Sequence, residues 1–191
     1  LDRRVGYNEH EFSQRSICMK IKDRIVLGLL AGFAGNVAKT AIDEVSLRSK
    51  ISQRSYRETA SGVWVSKRSD ATNPKGQLLG GLFDFGMSSV GGIAIVYLLS
   101  KTGRDHVIPK GIVSGVAIGS AITAALSAFP SNKVAPKDAA SNLSYMFAHA
   151  AYGVVATAVA AYAGDASLFD AEPVNDYISS DDLTTEERRL M

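Results

Sequence analysis

The chain has 191 residues, the size of one domain, and its 21 Lys and Arg nearly balance its 19 Asp and Glu. A net charge of +2 is too small to indicate a nucleic-acid partner, and the single cysteine, Cys18, excludes an intrachain disulfide and a multi-cysteine zinc site. The charges are concentrated in a few polar segments, and the blocks between them are about as long as the 20 apolar residues that span a bilayer.

A polar, basic segment, residues 1–24, precedes the first of these blocks. Met19 and the Lys20-Ile21-Lys22 that follows it have the form of a translation start, so we expect the protein to begin either at Leu1 or at Met19. The uncharged residues after Arg24 have the composition of a signal-peptide core, but no small-x-small cleavage site follows them. We therefore interpret them as the beginning of a membrane span.

Four hydrophobic segments predict four transmembrane helices, at about 25–47, 76–100, 111–129 and 139–164. Asn73-Pro74 predicts the start of the second helix, because Asn caps helices and Pro fits the first helical position. Pro130 ends the third helix, and the short link at 101–110 makes the second and third helices antiparallel neighbours. The sequence predicts an all-α, polytopic membrane protein, with the four helices in a compact bundle (25–164) and an acidic tail at 165–191.

The first loop, residues 48–75, is strongly basic. Its Ser55-Tyr56-Arg57-Glu58 fits a capping box, in which the Ser and Glu side chains satisfy each other's backbone N–H groups. Aromatic residues favour the headgroup level of a bilayer, and arginines pair with lipid phosphates, so we expect a short interfacial helix. The alternative is an ordinary loop with one buried Trp. The residues expected at the interface are Tyr56, Trp64, Arg54 and Arg57.

Small residues at spacings of three and four mark the helix surfaces that pack closely in membranes. Two such sets occur, one in the first helix and one in the third. The predicted packing residues are Gly28 and Gly32, then Gly111, Gly115 and Gly119.

Four polar residues stand inside the hydrophobic segments, namely Asn36, Lys39, Asp84 and His149. Their positions along the helices place Lys39, Asp84 and His149 at comparable depth, so the sequence allows one cluster. A charge in a membrane interior is costly and is normally paired or facing water. The cluster is either a proton or ion relay, or a buried ion pair that fixes helix register, and we favour the second.

Other chemistry is not indicated. The three histidines are far apart in the sequence and form no metal motif, and neither a phosphate-binding loop nor Gly-x-Ser-x-Gly is present. We expect no cofactor and no enzymatic activity. An intramembrane hydrolase that uses Ser88 or Ser89 with His149 is a distant third hypothesis.

The first helix, with Gly28-Leu29-Leu30-Ala31-Gly32, Lys39 and Asp43-Glu44, resembles that of the YagU-like family of small bacterial inner-membrane proteins. Ala148-His149-Ala150-Ala151-Tyr152 is similar to the late, His-containing helix of that family. The resemblance covers about a third of the chain and implies a helical protein of the bacterial cytoplasmic membrane, without an established activity.

The leading hypothesis is an integral-membrane protein that acts through helix packing and self-association, with the lipid bilayer and a second copy as its partners. The alternative is a channel or transporter of protons, ions or a small polar solute through the polar cluster. On one side of the membrane, the N-terminal segment and the 101–110 link together carry nine Lys and Arg if the chain starts at Leu1. On the other side, the 48–75 loop and the 131–138 link also carry nine. A start at Met19 lowers the number on the N-terminal side to six. The positive-inside rule then places the 48–75 loop in the cytoplasm.

Overall fold

The computed structural model describes residues 20–134 and 138–169, and the acidic tail beyond Phe169 and the segment before Lys20 lie outside these ranges. The described chain is all-helical. Its helices are α1 (Arg24–Arg48), α2 (Tyr56–Ser61), α3 (Arg68–Thr72), α4 (Pro74–Thr102), α5 (Val107–Ala128) and α6 (Ala139–Ala163), followed by a short 3₁₀ turn at Ala166–Leu168. Four of them, α1, α4, α5 and α6, are long and apolar enough to cross a membrane, which confirms the predicted fold class.

Local side-chain chemistry explains where the long helices begin. Asp23 accepts hydrogen bonds from the N–H groups of Ile25 and Val26 at 2.8 Å, and Asn73 accepts one from Gly76 at 2.9 Å with Pro74 in the first turn. These side chains satisfy N–H groups that have no partner within the helix. The predicted cap at Asn73-Pro74 is therefore confirmed.

The long helices pack in the spatial order α4–α1–α6–α5, and α4 also touches α6. The prediction that α4 and α5 are close neighbours needs correction. They are consecutive and joined by only the residues 103–106, yet they make few contacts with each other. Each of them is instead packed against another helix through glycines, and this packing holds the two apart.

The glycine sets predicted for packing lie at these helix contacts. A Cβ atom at Gly28 or Gly32 would overlap the backbone of α4, at Ile93 and at Ser88. The stripe on α5 meets α6 in the same way: a Cβ at Gly115 would overlap the His149 carbonyl oxygen, one at Gly111 the backbone of Val154, and one at Gly119 the His149 ring. The stripe is therefore occupied by a helix of the same chain.

The short helix α2, in the segment predicted to lie at the interface, has one face buried against the bundle and a second face, with Arg57 and Glu58, that is partly exposed. Tyr56, Thr59, Ala60 and Ser61 are at most 3% exposed, because α2 packs against α4 and contacts Tyr145 of α6. The Ser55 hydroxyl caps it by accepting from the Glu58 N–H at 3.2 Å. The predicted capping box also assigns the Glu58 carboxylate to the Ser55 N–H, but among the described residues this carboxylate accepts from the Gln77 side chain instead, at 2.8 Å.

Candidate functional site: a buried polar cluster

The inner face of α1 carries the first half of the site. Asn36, Lys39, Asp43 and Ser46 are spaced by three, four and three residues, which places them on one face of the helix. All four are at most 5% exposed, because α4, α6 and α2 cover this face. A polar stripe about 15 Å long, from the 1.5 Å rise per residue, therefore runs inside the bundle.

The ion pair between Lys39 of α1 and Asp84 of α4 lies at the centre of the cluster. The two side chains are 1% and 4% exposed, so the charges face each other and not water. The Lys39 ammonium also lies 4.3 Å from the centroid of the Tyr56 ring, a distance at which the ring face attracts a cation. The structure thus brings together the two opposite charges that the sequence placed at similar depth.

Asp43 is a member of the cluster that the sequence analysis did not select. Its carboxylate accepts a hydrogen bond from the Tyr56 N–H at 2.7 Å, at the start of α2. It stands four residues after Lys39, one turn along the same face, and it interacts electrostatically with that ammonium. The signal in the sequence that would have identified it as inward-facing is its spacing of seven residues from Asn36 and four from Lys39.

His149 lies beside the ion pair without being hydrogen-bonded to it. Its Nδ1 is 2.7 Å from the carbonyl oxygen of Tyr145, one turn earlier in α6. A carbonyl oxygen can only accept, so we assign the proton to Nδ1. The ring packs edge-on against Tyr56 with the centroids 4.8 Å apart. His149 is therefore held by its own helix and by α2, with a buried side chain that is 3% exposed.

Asn36 connects three helices at the deeper end of the cluster. Ser88 of α4 donates to its side-chain oxygen at 2.9 Å, and Tyr152 of α6 donates to the Ser88 carbonyl oxygen at 2.6 Å. The Ser88 hydroxyl thus bonds Asn36, and His149 bonds a backbone carbonyl. Among the described residues, no serine–histidine hydrogen bond joins Ser88 or Ser89 to His149, and the hydrolase hypothesis gains no support from the geometry.

The polar groups continue from the ion pair toward only one end of the bundle. The Ser144 hydroxyl donates to the Ser46 hydroxyl at 2.5 Å. The Ser141 hydroxyl oxygen accepts from the Ser52 hydroxyl at 3.3 Å and from the Gln53 N–H at 3.0 Å. The opposite half of the bundle is mostly apolar inside, although Thr157 is also buried there. Its buried residues include Leu27, Ala31, Ile95, Val96, Leu99, Ala156 and Ala160. The site is a polar half-bundle that is closed by an apolar half.

The space around the pair is small. A cavity of about 10 Å³ lies between Tyr56, Asp84, His149 and Tyr152, roughly the volume that one water molecule requires. Several buried polar atoms of α1, including Asp43 Oδ1 and Thr40 Oγ1, have no hydrogen-bond partner among the described residues. Such atoms are the usual partners of internal water. A cavity of this size, between residues that the structure describes, can hold an isolated water molecule but not a continuous column of water.

The four residues predicted at the interface lie in different environments. Trp64 is 61% exposed and its ring is 6.0 Å from that of Phe83. Tyr56 requires a correction, because its side chain points into the bundle, where burial raises the pKa of its hydroxyl. Arg57 donates to Glu44 at 3.1 Å, and Arg54 lies 3.8 Å from Glu58. Both arginines that were expected to face lipid phosphates therefore lie beside carboxylates of the same chain.

Within residues 20–134 and 138–169, no group of three His, Cys, Asp or Glu side chains is arranged to hold a metal ion. Comparisons with protein-family models, with curated proteins and with solved structures give no match to this chain. The polar cluster and the apolar surface that surrounds it are therefore the features from which a function can be inferred.

Proposed function

We propose that the protein is a multi-pass membrane protein that acts through helix packing and self-association, and that the buried polar cluster fixes the register of its helices. The observation that carries the proposal is the direction in which the side chains face. The ion pair is sealed inside, whereas large apolar side chains cover the outside of all four long helices: Phe33 is 53% exposed, Leu82 66%, Val113 68% and Phe147 68%.

A sealed ion pair supports a structural role because it offers no route to a solute. Lys39 and Asp84 join α1 to α4, and Asp43 joins α1 to α2, so the cluster ties together elements from three parts of the chain. Polar contacts of this kind select one register among the many that apolar surfaces allow. The outer faces are then free to contact lipid or a second copy.

Self-association can be tested by diluting donor- and acceptor-labelled protein into liposomes at increasing lipid-to-protein ratios. Energy transfer that falls along a binding curve, and recovers when the protein is concentrated again, supports association. Energy transfer no greater than that of an unrelated monomeric membrane protein at every ratio would contradict it.

The alternative, movement of protons or a small polar solute, is favoured by one observation: the polar side chains lead from the ion pair to the connection at 49–55. Access from that end alone would require the apolar half to open during a cycle. Proteoliposomes test it directly, since proton flux above that of protein-free liposomes, lost in Asp84→Asn, would favour transport over the structural role.

The cellular location belongs to the same proposal. The resemblance to YagU-like proteins rests on the first helix around Gly28 and Lys39 and on the motif around His149, and it supports the bacterial cytoplasmic membrane as the location. Fractionation of the native cell, followed by detection of the protein with an antibody, tests this placement.

A further inference from the structure

The gap between α4 and α5 is filled at one end and open at the other. At the end near the first loop, α2 enters it: Tyr56 and Ala60 are buried in one cluster with Leu126, against Phe83 and Ile122. At the opposite end no described residue takes the place of α2. A groove of about 600 Å³ remains there, between the second half of α4 and the first half of α5.

The walls of this groove are apolar. Ala94, Ile95 and Leu98 line it from α4, and Val113 and Ala117 line it from α5. The small side chains of Ala94 and Ala117 are both exposed, so neither wall fills the space. Because both walls belong to candidate membrane spans, the groove opens toward the hydrocarbon interior of the bilayer and not toward water.

The volume of the groove restricts what can occupy it. A spanning helix about 10 Å wide and 30 Å long has a volume of roughly 2,000 Å³, several times that of the groove. Ligand sites of about 300–1,000 Å³ hold small molecules, and a narrow apolar site of this size accepts an alkyl chain. The dimensions favour one lipid tail over a helix from a second copy.

The lysines near the mouth of the groove indicate which kind of lipid headgroup would lie there. Lys110 is fully engaged, since its ammonium donates to the carbonyl oxygens of Thr102 and Gly103 and to Asp105 at 2.5 Å. Lys101 is different: it is exposed and has no hydrogen-bond or ion-pair partner within the described part of the chain. It follows Ala94 by seven residues, about two helical turns, and so lies on the groove side of α4.

We propose that this groove binds one acyl chain of an anionic phospholipid, whose phosphate pairs with Lys101. The start of α5 adds to the attraction, because its N-cap residue, His106, makes no side-chain cap and leaves N–H groups at the same end of the bundle. The lipid completes the contact between α4 and α5 that α2 makes at the other end.

The proposal can be tested by native mass spectrometry of the full chain in detergent, titrated with phosphatidylglycerol or with phosphatidylcholine of identical acyl chains. We expect one phosphatidylglycerol per chain, retained roughly fivefold better than phosphatidylcholine, the advantage of one juxtamembrane lysine. Lys101→Gln should remove that preference by lowering the retention of phosphatidylglycerol to the level of phosphatidylcholine.

Ala117→Phe should place a ring inside the groove and obstruct the binding of both lipids, and Ala94→Phe should do the same from the other wall. Ala41→Phe is the matched control, because Ala41 is an exposed alanine on α1. It should bind like the unchanged chain, and thermal unfolding should show that all four variants are folded. Retention of phosphatidylglycerol by both groove-filling variants would overturn the proposal. Lys101→Gln with an unchanged preference, or a full chain that retains no lipid, would also overturn it.

Discussion

The contribution of the Lys39–Asp84 pair to the free energy of unfolding can be measured by a double-mutant cycle. Asp84→Asn keeps the shape of the side chain and removes its charge, which leaves the Lys39 ammonium, 1% exposed, without its main partner. Breaking a buried pair from one side costs about 3–5 kcal/mol. Because Lys39 keeps the Tyr56 ring at 4.3 Å and the nearby charge of Asp43, we expect Asp84→Asn to lie near the lower limit of that range.

Removing both charges should be much less harmful than removing one. In Asp84→Asn combined with Lys39→Met, neither buried charge remains, and the loss relative to the unchanged chain should fall to about 1 kcal/mol or less. For a chain of this length, a loss of 3 kcal/mol lowers the midpoint of thermal unfolding by roughly 6–12 °C. Thermal unfolding in detergent can therefore distinguish the single variants from the double variant.

The same variants separate the two proposed functions. If the pair is structural, the double variant recovers its stability and proteoliposomes show no flux for any form. If the cluster is a relay, the double variant is folded but inactive, and His149→Ala loses flux while it keeps its stability. Losses that simply add between Asp84→Asn and Lys39→Met would mean that the side chains do not interact, and both forms of the cluster hypothesis would fail.

Four further predictions follow from the packing and the charge distribution. Gly115→Leu should destabilise the fold by more than about 3 kcal/mol, since a Cβ at this position overlaps α6. Gly86→Leu is the control and should change stability little, because the space around Gly86 is open. Equal thermal midpoints for the two variants would refute the α5–α6 contact. Asp43→Ala removes the acceptor for a buried N–H and should cost about 1–3 kcal/mol, read from the same unfolding curves. The protein should remain in the membrane fraction after carbonate washing, and release into the supernatant would refute the membrane assignment. In a Cys18→Ser background, Arg68→Cys should react with an impermeant thiol reagent only from the cytoplasmic side, and labelling from outside would reverse the proposed orientation.

The sequence by itself determined the membrane-spanning helices and the two charges that had to meet. Span length and the lack of charge are properties of each segment alone, so the predicted bounds differ from those of α1, α4, α5 and α6 by a few residues at most. Depth along a helix is also local, since each residue rises by 1.5 Å, and this placed Lys39 and Asp84 at one level before any contact was known.

Only the tertiary structure decided which faces meet. Tyr56 is of a residue type that favours the headgroup level of a bilayer. In the structure, however, its N–H donates to Asp43, and α2 packs into the space between α4 and α5. That space exists because the glycines of α1 and α5 bring α4 and α6 close on their other sides, and no single segment encodes it. The buried position of α2 and the open groove beyond it are therefore consequences of how the helices pack together, which hydrophobic periodicity within one segment cannot reveal.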